Sequence, residues 1–313
     1  MSAYFLLALG LIILLLGGKF LVDGASGIAV KLGMSAGLIG LTIVAFGTSA
    51  PELLVSVNAA LKGNSDISIG NVVGSNIANI GLVLGLSGIF YPIKISRRLI
   101  RFEYLITLAV TLLFLFVSLN RNVERWEGIV LFTLFIIFNF YLFWLEKKGA
   151  AEQFKEVEEE IEQVKKLSWW MAVGLFLIGI VGLYFGSELL VENAVLISRN
   201  YGVPERIIGV TIIAIGTSLP ELITSVMAAI AKETDMALGN ILGSNIMNIL
   251  SIIGLTAIIQ PISVADAFIN VDFWWMIGIT ILLFPLMRTK MQISKLEGSI
   301  LLFAYCAYLF FLL

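Results

Sequence analysis

The chain has 313 residues, 59% of them hydrophobic and 13% charged, with mean hydropathy +1.00 and a formal net charge of −2 at pH 7. A soluble fold of this size cannot cover so much apolar surface, so the sequence reads as a polytopic membrane protein, and its charge favours no nucleic-acid partner. A single cysteine, Cys306, excludes an internal disulfide and a multi-thiolate metal site; the lack of histidine removes the usual zinc ligand and proton shuttle.

Apolar runs long enough to cross a bilayer, about 20 residues each, fall roughly at 3–22, 37–60, 69–91, 100–119 and 126–145. A second set falls roughly at 169–190, 207–230, 238–260, 272–287 and 296–313. The first run has no basic segment before it, and Lys19 and Asp23 follow it, so it reads as a retained helix rather than a signal peptide. With no β-barrel alternation, the expected class is an all-α membrane protein of ten transmembrane helices. Residues 1–146 and 168–313 form the halves, and the charged stretch 147–167 joins them. That stretch lacks EF-hand spacing and is expected to be a solvated cytoplasmic linker.

The halves are repeats. An offset of 169 takes Gly47, Glu52 and Ser56 to Gly216, Glu221 and Ser225. The same offset takes Asn71, Ser75, Asn76 and Asn79 to Asn240, Ser244, Asn245 and Asn248, and Asp23 and Gly33 to Glu192 and Gly202. Chance likeness between apolar helices does not explain matches among rare polar residues. Five helices per repeat force the copies into opposite orientations, an arrangement typical of secondary transporters. Lysine and arginine bias sets the topology. Lys94, Arg97, Arg98, Arg101, Lys147 and Lys148 fall inside when both termini are outside; Arg121, Arg125 and Arg206 remain external.

The chemistry concentrates in Gly47-Thr48-Ser49-Ala50-Pro51-Glu52 and Gly216-Thr217-Ser218-Leu219-Pro220-Glu221. Each proline lacks an N–H and clashes with the carbonyl four residues back, so the helix is expected to break and free backbone carbonyls at membrane depth. Such backbone survives only when buried in protein or lining a wet cavity. Thr48 and Glu52 share a helix face, as do Ser75 and Asn79, with Asn71 extending that stripe. These hydroxyls, amides, carboxylates and carbonyls are all hard oxygen donors, which suit calcium and not copper or zinc. Asn76 and Asn245 lie off the stripe and are expected to bond between helices. Gly70, Gly74, Gly81 and Gly85 fit close helix packing, and Asp23 and Glu192 read as hydrated carboxylates near helix ends.

The paired motifs GTSAPELLVSV with GNVVGSNIANI, and GTSLPELITSV with GNILGSNIMNI, resemble the alpha-repeats of the calcium/cation antiporter superfamily, in its sodium/calcium exchanger branch. The resemblance spans essentially the whole chain and is close to prokaryotic members. It implies that long first and sixth helices slide across a core of the second, third, seventh and eighth. It also implies exchange of Na+ for Ca2+ in a prokaryotic cell membrane, with no cofactor. Carried over by position, calcium would use Glu52 and Glu221 with carbonyls near Thr48 and Thr217. Sodium would use Ser49, Ser75, Ser218 and Ser244 with carbonyls near Ala45 and Ala214; helical spacing adds Asn79 and Asn248, one turn beyond the site serines on the face expected to point at the glutamates. Three sodium ions per calcium would make exchange electrogenic.

The close alternative is a proton/calcium antiporter using the same glutamate pair, since burial and mutual repulsion disfavour two charges in one cavity. That branch has Gly-Asn-x-x-Glu where this chain has Gly-Thr-Ser-x-Pro-Glu, which favours sodium. A cation channel fits a sealed midplane site poorly, and an enzyme would need a nucleophile–base set that is not there. The oligomeric state is not legible.

Overall fold

A computed structural model describes residues 3–153, 167–202 and 214–312. The linker expected at 147–167 and the start of the seventh run, with Gly209 and Thr211, lie largely outside the described residues. In chain order the helices are α1 (Ala3–Leu32), α2 (Ala36–Thr48), α3 (Ala50–Leu61), α4 (Ser65–Phe90), α5 (Leu99–Ser118) and α6 (Arg125–Gln153). There follow α7 (Trp169–Asn200), α8 (Ala214–Thr217), α9 (Leu219–Ile230), α10 (Thr234–Ile259), α11 (Phe268–Arg288) and α12 (Lys295–Leu312). Among the described residues, eight helices are long and apolar enough to span a membrane, or nine when the bent pair α2 and α3 counts as one span.

The helices α1 and α7 each run ten residues past their apolar runs, to Leu32 against 22 and to Asn200 against 190. Nothing between Asp23 and Leu32 breaks a helix. The stop comes at Gly33, φ 64°, and in the second half at Gly202, φ 74°, each supplying the left-handed residue that closes a helix C-terminus. Asp23 and Glu192 therefore stand well inside these helices rather than near their ends, which corrects the expectation for them. The two helices lie antiparallel at backbone contact. A Cβ on Gly24 would come within 2.4 Å of the Phe176 nitrogen, and one on Gly179 within 2.4 Å of the Leu21 nitrogen.

The centre of the molecule is α4 and α10, whose apolar windows are 83% and 89% buried, against 22–39% in the other spans. Around them α12 packs on α4, where Gly85 meets the Gly298 carbonyl, and α6 packs on α10, where Gly128 meets the Gly254 carbonyl. Close packing thus accounts for Gly81 and Gly85, whereas a Cβ on Gly70 would meet the Phe268 ring at an ordinary 3.5 Å and one on Gly74 would meet nothing within 4 Å among the described residues. Four two-residue strands, β1 (Ile93–Lys94), β2 (Asn122–Val123), β3 (Ile262–Ser263) and β4 (Gln292–Ile293), pair crosswise. Antiparallel ribbons join β1 to β4 and β2 to β3.

The crossing of α2 over α10 fixes the site and admits no side chain. A Cβ on Gly243 would lie 2.3 Å from the Leu41 carbonyl oxygen, and one on Gly239 2.4 Å from that of Gly37. Backbone cannot swing aside as a flexible side chain can. Gly243→Ala is expected to destabilise the protein by about 1–3 kcal/mol through overpacking, seen as a lower unfolding midpoint in detergent. An unchanged midpoint would show that the two backbones have room to separate.

Candidate functional site

Helices α2 and α3 meet at Ser49 (φ −89°, ψ 7°) with a 46° bend, and α8 meets α9 at Ser218 (φ −92°, ψ 5°). Pro51 and Pro220 then sit in the first turn of the following helix, where a missing N–H is tolerated. Glu52 and Glu221 occupy those same first turns, where the helix dipole favours negative charge. Of the carbonyls freed by the prolines, that of Gly216 accepts a hydrogen bond from Ser187 Oγ of α7 at 3.0 Å. The sequence reading missed that donor. The signal for it was the orphaned carbonyl itself; the position matching Ser187 in the first half is Gly18, which has no hydroxyl.

Both glutamates are 1% exposed and close enough to interact electrostatically. Ser49 Oγ donates to Glu221 Oε1 at 2.9 Å and also lies 3.0 Å from Ser244 Oγ, so the break in one half is tied to the carboxylate of the other. Thr48 Oγ1 donates to the Ala45 carbonyl and to Asn240 Oδ1, both at 3.3 Å. Ser218, Ser75 and Ala45 are buried, and Thr217 is half-buried. Ala214 opens α8.

A second polar shell braces these breaks. Asn71 Nδ2 donates to the Glu52 carbonyl at 3.1 Å and to Ser56 Oγ at 2.9 Å; Asn240 Nδ2 donates to Ser225 Oγ at 3.0 Å. Asn71 was expected along the ion-facing stripe, and its amide instead props the broken helix. Asn79 and Asn248 each open a π-helical turn, Asn79–Leu84 and Asn248–Ile253, a wide turn that recurs at functional sites. Asn76 and Asn245 bond between helices, as expected: Asn79 Nδ2 donates to Asn245 Oδ1 and Asn248 Nδ2 to Asn76 Oδ1, both at 3.0 Å.

What remains unpaired defines the site's chemistry. Glu52 Oε2, Glu221 Oε2, Asn79 Oδ1, Asn248 Oδ1 and Ser218 Oγ are buried and have no hydrogen-bond partner among the described residues. Buried acceptors without donors are costly, about 1–3 kcal/mol each and more when charged. No lysine or arginine is bonded to either glutamate among the described residues. Five unpaired oxygens, two of them from carboxylates, suit a hard cation whose charge offsets theirs.

A family model described as "Sodium/calcium exchanger protein" matches residues 2–144 and 171–313. The sodium/calcium exchanger MaX1 of Methanosarcina acetivorans is 33% identical over 339 residues, covering 98% of this chain and 97% of that one. The membrane protein MJ0091 of Methanocaldococcus jannaschii is 41% identical over 249 residues, 79% of this chain and 78% of its own. Among solved structures, the sodium-calcium exchanger NCX_Mj soaked with zero Na+ and Ca2+ matches with a TM-score of 0.84 at 32% identity, over 99% of each chain.

Proposed function

The chain belongs to the sodium/calcium exchanger protein family, and from that premise we propose that it exchanges sodium for calcium at one site built on Glu52 and Glu221. At the level of the family it is an integral-membrane cation/calcium antiporter and not an enzyme. The observation that carries the finer reading is the buried pair of carboxylates, each with an unpaired oxygen and neither with a basic partner among the described residues. Two carboxylates balance one Ca2+. Calcium would take them together with Thr48 and Thr217. Sodium ions would use Ser49, Ser75, Ser218 and Ser244 with the carbonyls of Ala45 and Ala214, and Asn79 and Asn248 would offer neutral oxygens between them. Proton coupling through the same glutamates is the competing reading; the hydroxyls on both breaks favour sodium.

The same proposal takes the chain as ten helices in two inverted five-helix repeats, residues 1–146 and 168–313, joined by the cytoplasmic segment 147–167, with both termini outside. The ribbons support the inversion. By the offset of 169, β1 corresponds to β3, yet β1 pairs with β4 and β2 with β3. Because α5 crosses between β1 and β2, those two strands lie at opposite faces. Strand β3 shares the face of β2, so corresponding strands face opposite ways.

The test is uptake of radioactive calcium into proteoliposomes under outward sodium, potassium or proton gradients. Sodium alone is expected to drive it; uptake driven by protons and indifferent to sodium would select the competing reading. Asn248 sharpens the prediction. A neutral amide there adds no charge to balance, so sodium-driven flux is expected to persist without potassium. Asn248→Asp would put a third carboxylate in the cavity, where it must protonate or attract another cation. It should make flux sensitive to pH or potassium, and a variant insensitive to both would remove position 248 from the site.

A further inference from the structure

We propose that Asn76 and Asn245 are positioning residues, each aiming the site asparagine of the opposite half at the transported ions. The proposal rests on the reading of Asn79 and Asn248 as ligands. All four asparagines are at most 2% exposed, on the two central helices α4 and α10. Asn245 Oδ1 accepts from Asn79 Nδ2, and Asn76 Oδ1 accepts from Asn248 Nδ2. The other arms are tied as well: Asn76 Nδ2 donates to the Asn245 carbonyl at 3.5 Å and lies 3.8 Å from Met276 Sδ, while Asn245 Nδ2 donates to the Asn76 carbonyl at 3.3 Å. The four amides and two carbonyls close a ring between the halves.

An amide is planar, so fixing its nitrogen fixes its oxygen. With Nδ2 held by the opposite helix, Asn79 Oδ1 and Asn248 Oδ1 are the two arms left unpaired and buried. The ring therefore decides which end of each site amide meets a cation. Without it, either amide can turn and present its N–H₂, which repels a cation where a carbonyl oxygen would attract one. Asparagine suits positions 76 and 245 because each must accept from a side chain and donate to a backbone carbonyl within one rigid group. The pairing also crosses the repeat: the ligand on α4 is set by α10, and the ligand on α10 by α4.

The experiment is calcium–calcium self-exchange of the full-length protein in proteoliposomes, which needs neither sodium nor protons. Asn76→Ala, Asn245→Ala, Asn79→Ala and Asn248→Ala are measured alone and in pairs. Asn76→Ala and Asn245→Ala are expected to raise the calcium KM roughly five- to tenfold, the value of one lost orienting hydrogen bond, with the maximal rate changed far less. The deciding result is the coupling. Asn76→Ala should add nothing to Asn248→Ala, and Asn245→Ala nothing to Asn79→Ala, whereas Asn76→Ala and Asn79→Ala on the same helix should multiply. Full multiplication in the crosswise pairs, or a fall in rate with KM unchanged, would overturn the positioning role. If Asn79→Ala and Asn248→Ala themselves leave KM unchanged, the ligand reading fails first and takes this proposal with it. Where an alanine variant does not stay folded, Asn76→Leu and Asn245→Leu keep the volume, remove the same bonds and are held to the same outcomes.

Discussion

Replacing either Glu52 or Glu221 by glutamine is expected to lower calcium exchange roughly a hundredfold or more, the scale for removing one member of a desolvated charge set. Protein yield and monodispersity should stay near those of the parent. The reason is charge, since glutamine has nearly the same shape. Each carboxylate supplies half of what balances Ca2+, and each has one oxygen bound to no donor among the described residues. Glutamine substitutes a neutral amide whose N–H₂ repels the ion. The loss should be similar at the two positions although their surroundings differ: Glu221 accepts from Ser49 Oγ, whereas Ser218 Oγ is unpaired. Folding should improve slightly if anything, because a buried charge is removed. Transport near the parental rate by either purified variant would remove the paired-carboxylate mechanism.

Membrane potential should bias the flux strongly. Two carboxylates neutralise one calcium ion, whereas the three sodium ions of the proposed exchange would leave one excess positive charge on the return limb. Moving that charge through about 100 mV is worth about 2.3 kcal/mol, or roughly fiftyfold in the calcium gradient that exchange can sustain. In sodium-loaded proteoliposomes, a potential positive inside should speed calcium entry coupled to sodium exit, and one negative inside should slow it. The sign follows from the direction of net charge, which leaves with the sodium. Rates indifferent to potentials of either sign would mean that exchange is electroneutral and the three-sodium stoichiometry wrong.

The breaks were the most legible part of the fold. A proline three residues after a threonine, at Pro51 and Pro220, announces itself through lost hydrogen bonding, and the helices break at Ser49 and Ser218, two residues before. Helix length was less legible. Hydropathy marks where a chain can meet lipid, and α1 and α7 continue for ten residues beyond that point because no residue stops them before Gly33 and Gly202. Those two glycines were already visible as a repeated pair, so the ends could have been read from the repeat rather than from polarity. Within the site, residue types were readable and their orientations were not. Sequence spacing placed Ser75 and Asn79 on one helix face, but a 3.6-residue period carries no sign of the π-helical turn that begins at Asn79. The same limit hid Asn71: a 3.6-residue stripe says which face a side chain leaves from, not whether its amide turns toward an ion or toward the backbone of Glu52. Asn76 and Asn245 were legible by exclusion, since amides off the ion-facing stripe in an apolar core must find each other.

Crystals of the full-length protein soaked in calcium test most directly, by anomalous scattering, whether one calcium ion binds between Glu52 and Glu221. The expected result is a single strong peak about 2.3–2.6 Å from oxygens of both carboxylates, absent from Glu52→Gln crystals treated the same way. A calcium peak touching neither glutamate, or one undiminished in the glutamine variant, would contradict the account.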